Sequence, residues 1–161
     1  MDHLWSPWRY QYVTTEHGGS ECIFCRAAAA SNDEENLVVY RGRHNFIVLN
    51  RYPYTSGHLM IVPYQHVDSL EGASQETLAE LIFLAQESER RLREIYKPDG
   101  LNLGMNLGQS AGAGIAGHIH LHVLPRWTGD TSFITTVSET RILPEELTVT
   151  YQKLSQAFKH S

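Results

Sequence analysis

Cysteine is scarce in this 161-residue sequence, with only Cys22 and Cys25. Two thiols three positions apart are no disulfide framework, and a chain of this length buries about two-thirds of its unfolded surface without such staples. Long apolar runs are also missing: nothing approaches the roughly 18 residues that cross a bilayer. Met1 to Tyr12 is polar and aromatic and lacks the apolar centre of a signal peptide. The expectation is a cytoplasmic protein with no membrane partner. A basic surplus is absent too, since the formal net charge is −5, which argues against binding a nucleic acid polymer. A small anionic ligand stays open, because histidines, a few arginines and backbone N–H groups can hold one. Without repeats or low-complexity linkers, one domain is expected over residues 1–161, with 1–36 as an N-terminal arm and 128–161 as a C-terminal extension.

What is present reads as an α+β protein. Leu37 to Tyr40, Phe46 to Asn50 and His58 to Val62 are short apolar, β-branched runs bounded by turn residues, and are expected to be antiparallel neighbours. The arm before them holds Trp5, Trp8, Tyr10 and Tyr12, which are expected to pack on the core. Ser74 is a suitable N-cap for a helix carrying Leu78, Leu81, Ile82, Ala85, Leu92 and Ile95 inward, with Glu87 and Arg91 on the wet side and Pro98 and Gly100 ending it. Leu101, Leu103, Met105 and Leu107 then alternate with Asn102, Gly104, Asn106 and Gly108, a strand with a small polar face. Pro144 opens a second amphipathic pattern through Leu147, Tyr151, Leu154 and Phe158, weakened as a helix by Thr148, Val149 and Thr150.

The distinctive feature is His118-Ile-His-Leu-His122. Read as a strand from Gly117 to Pro125, it projects three imidazoles to one side, with alternate residues about 6.5–7 Å apart, so neighbours can share one phosphate-sized ligand. Imidazole is a good nucleophile near neutral pH when one nitrogen is pinned as a donor and the other has a free lone pair. A catalytic metal on His-x-His would want a nearby acid, and no Asp or Glu lies between Asp99 and Asp130. Upstream, Gly108 to Gly117 carries four glycines, which lets backbone N–H groups approach a polyphosphate. It lacks the Lys-Ser/Thr ending of a Walker loop. For Cys22-Ile-Phe-Cys25 the residues leave open a redox pair, two inert thiols or half of a zinc site; the redox reading wants a helix start in a βαβ context.

Asn106-Leu-Gly108, Ala111-Gly112 and His118-Ile-His-Leu-His-Val-Leu-Pro-Arg126 resemble the signature of the histidine-triad superfamily. Asn50, Pro53, Gly57-His58-Leu-Met-Ile-Val-Pro63 and His66 resemble its earlier strand pair. Leu4 to Arg9, Asn50 to Tyr54, Pro125-Arg-Trp127 and Asp130 to Ile134 are most similar to the fragile histidine triad hydrolases and bacterial diadenosine tetraphosphate phosphorylases.

The resemblance implies a half-barrel of antiparallel strands with one long packed helix and a C-terminal helix, usually as a homodimer. It implies a nucleotide or dinucleoside polyphosphate as substrate and no organic cofactor. His120 would attack the α-phosphorus, giving a nucleotidyl-histidine that water or phosphate resolves. His122 would meet phosphate oxygens or the leaving group, His118 would orient the row, and Asn50 would meet the ribose. Asn106 with the backbone of Gly112, Ala113 and Gly114 would hold phosphate oxygens, and Arg126 and Trp127 would either serve the polyphosphate chain or pack at the surface. His66 and His118 match the histidines that complete a structural zinc site with Cys22 and Cys25. His58 would be a neighbour of that machinery or a buried structural residue. A nucleotide-binding or sensor module with little catalysis is the alternative. One departure is visible: Gly112 to His118 is a residue longer than in the fragile histidine triad hydrolases, with Ala113-Gly114 where many relatives carry Gln or Ser.

Overall fold

The computed structural model describes residues 22–131, 135 and 142–159. The arm residues Trp5, Trp8, Tyr10 and Tyr12, the Leu4 to Arg9 motif and Ser132 to Ile134 lie outside the described residues. In chain order the elements are α1 (Ile23–Ala29), β1 (Val38–Arg41), β2 (Asn45–Leu49), β3 (Leu59–Pro63), α2 (Gln75–Tyr96), β4 (Gly100–Met105), β5 (Leu121–Arg126) and α3 (Leu147–Lys159).

The strands form one five-stranded sheet in the order β1-β2-β3-β5-β4, and every pair is antiparallel. This is the α+β half-barrel arrangement that the resemblance implies. Strands β2 and β3 are buried at every position, because they are central and covered on both faces. That explains their unbroken apolar runs, Phe46 to Leu49 and Leu59 to Val62. Gly57 enters β3 at φ +81°, and a Cβ there would stand 3.1 Å from Leu92 and Tyr96 side-chain atoms of α2. Only glycine fits this close approach.

Helix α2 begins where Ser74 Oγ accepts the Thr77 N–H at 3.2 Å and ends at Lys97 in the left-handed conformation (φ 46°), just before Pro98. Leu81, Leu84, Ala85 and Leu92 face the sheet, and burying each leucine contributes about 1.5–3 kcal/mol. Two expectations for this helix fail. Arg91 is buried, its guanidinium 4.9 Å from the Phe158 ring centroid of α3 and paired to Glu87 at 3.3 Å. Ile82 is 65% exposed. A helical pattern shows which residues share a face but not which of two faces a second helix will cover, and α3 covers the one carrying Arg91.

Other differences follow from local geometry. The C-terminal helix starts at Leu147, three residues after Pro144. Leu107 lies beyond β4, and Leu103 is 48% exposed on β4, which is an edge strand among the described residues. The arm contains a helix, α1, that its sequence pattern did not announce. Its seven residues are too few to be stable alone. Arg41 closes the C-terminal end, donating to the carbonyls of Ala27, Ala28 and Ala30 at 3.1, 2.8 and 2.8 Å and to Asp33 at 2.9 Å. Among the described residues no helix is long and apolar enough to cross a membrane.

Candidate active site and metal centre

Strand pairing begins only at Leu121, so His118 and His120 precede the ladder and His122 alone is in it, opposite Met60 of β3 and Gly104 of β4. The lead-in is still fixed, since the Ile119 N–H donates to the Val67 carbonyl at 2.8 Å. The expected even row of three imidazoles is therefore not what forms. His120 and His122 remain together, ring centroids 4.8 Å apart, whereas the Nδ1 of His118 faces Cys22 Sγ at 3.4 Å and Cys25 Sγ at 3.7 Å.

Backbone groups settle the proton positions. His118 Nε2–H donates to the Pro63 carbonyl at 2.9 Å, leaving the Nδ1 lone pair toward the thiols. His120 Nδ1–H donates to the His118 carbonyl at 2.9 Å, leaving its Nε2 lone pair free. His58 Nδ1 accepts the Tyr54 N–H at 3.2 Å, so its proton is on Nε2, which donates to His122 Nδ1 at 2.8 Å. His122 therefore carries its own proton on Nε2. The site offers one imidazole as a nucleophile and its neighbour as a hydrogen-bond donor, each tautomer held by a partner that cannot exchange roles.

Burial is the main cause that lowers all four pKa values, because the cation is poorly solvated there. His58 falls to about 3, with His122 and then His120 adding to the effect, and His122 falls to about 4, with His120 adding to it. His118 is lowered, and so is His120, where the bond to the His118 carbonyl partly opposes burial. The neutral tautomers are thus the working forms near neutral pH.

A stability test follows for His58. Below pH 6.5 the unfolded chain takes up a proton that folded His58 refuses until about pH 3. Its contribution is intact above 6.5 and declines as the pH falls, by about 2 kcal/mol at pH 5. Urea unfolding at pH 7.5 and 5 should show a smaller pH loss for His58→Asn than for the wild type; equal losses would contradict the assignment.

Cys22, the N-cap of α1, and Cys25 converge with His66 and His118, and the four ligand atoms lie within 4.8 Å of one another. Cys25 Sγ is 3.2 Å from His66 Nδ1. A tetrahedral Cys₂His₂ metal site places each sulfur about 3.5 Å from each nitrogen, and the observed separations of 3.2, 3.4 and 3.7 Å bracket that value. The donor set fits a metal such as zinc, and the Pro63 carbonyl supplies the outer partner that orients His118.

A family model described as HIT domain matches residues 31–129. The chain belongs to the HIT domain family. It is 38% identical to the AP-4-A phosphorylase of Mycobacterium tuberculosis over 96% of this chain and 83% of that protein. A Zn-bound histidine triad family protein from Mycobacterium smegmatis superposes with a TM-score of 0.70 at 29% identity, covering 87% of this chain and 94% of that one. A hypothetical histidine triad nucleotide-binding protein from Sulfolobus tokodaii superposes at 0.68 and 27% identity, covering 86% and 93%.

Within this HIT domain the remaining candidates are placed unevenly. Asn50 Nδ2 is 3.3 Å from His58 Nδ1, and Asn50 Oδ1 accepts the Tyr52 N–H at 3.0 Å, so the residue shapes the turn beside the imidazoles. Asn106 Nδ2 donates to the Gly112 carbonyl at 3.4 Å and tethers the glycine loop. That loop turns through Gly108 (φ +81°) and Gly112 (φ +89°); Gly112 and Gly114 are exposed, and Ala113 is half-buried. Arg126 is held by Asp130 at 2.5 and 2.9 Å and donates to Asn102 at 2.8 Å, so part of its charge is already compensated. Trp127 packs edge-on to Tyr96 of α2, centroids 6.4 Å apart. Sequence reasoning undervalued His58. The signal was its period of two with Met60 and Val62, which aims it at the His122 face once β3 pairs with β5.

Proposed function

We propose that the protein cleaves dinucleoside polyphosphates such as diadenosine tetraphosphate, or related nucleotide conjugates, at the α-phosphate through a nucleotidyl-histidine on His120. The observation that carries this reading is the free Nε2 of His120, set by the Nδ1–H bond to the His118 carbonyl and placed beside His122. The similarity to an AP-4-A phosphorylase at 38% identity supports the substrate class and favours phosphate as the acceptor.

In the first step His120 Nε2 bonds to the α-phosphorus while the bridging P–O bond breaks, and its electron pair leaves on the polyphosphate. That leaving group is a stable anion near neutral pH, so it needs a hydrogen bond and not a full proton. His122 Nε2–H supplies it, with His58 holding the tautomer. The N–H groups of Gly112 and Ala113 close the loop on the Gln109 and Gly108 carbonyls at 2.9 and 3.4 Å, so the Gly114 N–H is the one that meets phosphate oxygens. Asn106 fixes that loop, Asn50 meets the ribose, and Arg126 and Trp127 border the far end of the polyphosphate. In the second step an oxygen of phosphate or water attacks phosphorus and releases His120.

Cys22, Cys25, His66 and His118 would hold structural zinc. Such a closed set has no open position for substrate, and the bound metal ties residues 22–25 to the segment that carries the nucleophile. One domain over 1–161 in a reducing, cytoplasmic setting fits this thiol chemistry. A symmetric dimer is supported by the position of β4 at the edge of the sheet among the described residues and by the exposed Leu103, Ile82 and Phe83.

Incubation with diadenosine tetraphosphate decides the reading. ADP and ATP should appear only when inorganic phosphate is present. AMP and ATP without phosphate would identify a hydrolase, and binding without products would replace the enzyme with a nucleotide-binding module.

A further inference from the structure

One buried side chain behind the nucleophile has no part in the chemistry above. Phe24, in the middle of Cys22-Ile-Phe-Cys25, is 3% exposed. Its ring centroid lies 4.9 Å from that of His120, with the planes tilted by 47°, and 5.5 Å from His118 at 75°. The helix that carries it is fixed at both ends, by the Cys22, Cys25, His66 and His118 cluster at its start and by Arg41 on the carbonyls of Ala27, Ala28 and Ala30 at its finish. Phe24 is held firmly against the imidazole that reacts.

Attack changes the charge of that imidazole. The Nε2 lone pair becomes the N–P bond while Nδ1 keeps its proton on the His118 carbonyl. Both ring nitrogens are then substituted and the ring carries a formal positive charge. It stays positive until the acceptor oxygen bonds to phosphorus and the N–P pair returns to the ring. The group that receives the Nδ1–H is a neutral carbonyl, where the serine protease triad uses a carboxylate for the corresponding imidazolium. The face of a benzene ring attracts a cation within about 6 Å of its centroid, most strongly where water is excluded. His120 and Phe24 are both buried and meet the distance.

We propose that Phe24 is a positioning residue that favours the cationic, phosphorylated form of the His120 imidazole over its neutral form, so that the Cys-x-x-Cys helix serves the reaction as well as the metal. This rests on His120 being the nucleophile.

The test keeps the shape of the side chain and changes its electrostatics. Phe24 is replaced by 4-fluoro-, 3,4,5-trifluoro- and pentafluorophenylalanine, a series of nearly constant shape in which the negative potential of the ring face weakens and reverses, and separately by leucine (Phe24→Leu). The rate of nucleotidyl-enzyme formation from diadenosine tetraphosphate, read by rapid quench, should fall progressively along the fluorinated series. The total loss should be roughly tenfold, within the about 2- to 30-fold range that a cation–aromatic contact supplies. KM, metal content and Tm should stay at wild-type values. A second readout needs no substrate: carbethoxylation of His120 by diethyl pyrocarbonate, followed by mass spectrometry, also creates a ring cation and should slow in the same order. Rates that are flat across the series in both measurements would overturn the proposal and leave Phe24 as packing. A wild-type protein that forms no nucleotidyl-histidine would refute the proposed function, and the carbethoxylation series would still decide the role of Phe24.

Discussion

His120→Gly should lower turnover of diadenosine tetraphosphate by on the order of 10⁴-fold or more, the scale seen when a covalent nucleophile is removed. Substrate affinity should change little, because the N–P bond forms only after binding. The substitution removes a buried ring whose Nδ1–H is bonded to the His118 carbonyl, so some stability is lost as well. Glycine leaves a cavity of imidazole shape, and the affinity measured by calorimetry separates a dead but folded site from an unfolded one. Turnover within tenfold of the wild type would remove His120 from the role. His122→Ala should be milder, since that ring donates only a hydrogen bond to an anion that needs no proton to depart.

Cys25→Ser should cost the protein its metal and roughly 10 °C in Tm. Cys25 approaches both histidines of the cluster, 3.2 Å from His66 Nδ1 and 3.7 Å from His118 Nδ1. Binding to a structural Cys₂His₂ site is worth about 10–16 kcal/mol in isolated peptides. Most of that is offset here, because the His118–Pro63 and Ile119–Val67 hydrogen bonds hold the segments of His66 and His118 together without it. A net loss of about 3–5 kcal/mol corresponds to roughly 10 °C for a domain of this size. Elemental analysis of chelator-free wild-type protein should give about one zinc per chain; a content well below that, or a variant with unchanged Tm, would refute the structural zinc. The variant should also lose activity beyond its instability, because His118 contributes both a cluster nitrogen and the carbonyl that orients His120.

The two effects differ in how far they could be read without coordinates. The histidine run marks the segment proposed to carry the nucleophile, since three imidazoles in five residues have few structural uses. The period of two puts Ile119, Leu121 and Val123 on the side opposite the imidazoles, and all three are buried. It misleads about His118, which precedes the paired strand and turns to the thiols, because side-chain alternation holds only where a ladder enforces it. Glu87 and Arg91 illustrate a similar limit. Four-residue spacing puts them together, and they do pair, but whether that side faces water depends on the packing of α3.

The sequence by itself determined the local quantities: strand runs of β-branched residues, the Ser74 cap, the glycines that allow positive φ, and the identity of the reactive side chains. These depend on neighbours within a few positions, where propensity and spacing act directly. Only the tertiary structure decided which imidazole keeps an open Nε2 lone pair. The proton on His120 is placed by the His118 carbonyl, that on His118 by Pro63, and that on His122 by His58, which in turn is held by Tyr54. Two of these partners, Pro63 to His118 and His58 to His122, are 55 and 64 residues apart. They meet only because β3 pairs with β5. A tautomer is set by the hydrogen bond at the opposite nitrogen, and a sequence pattern carries no record of that bond until the sheet brings its partner there.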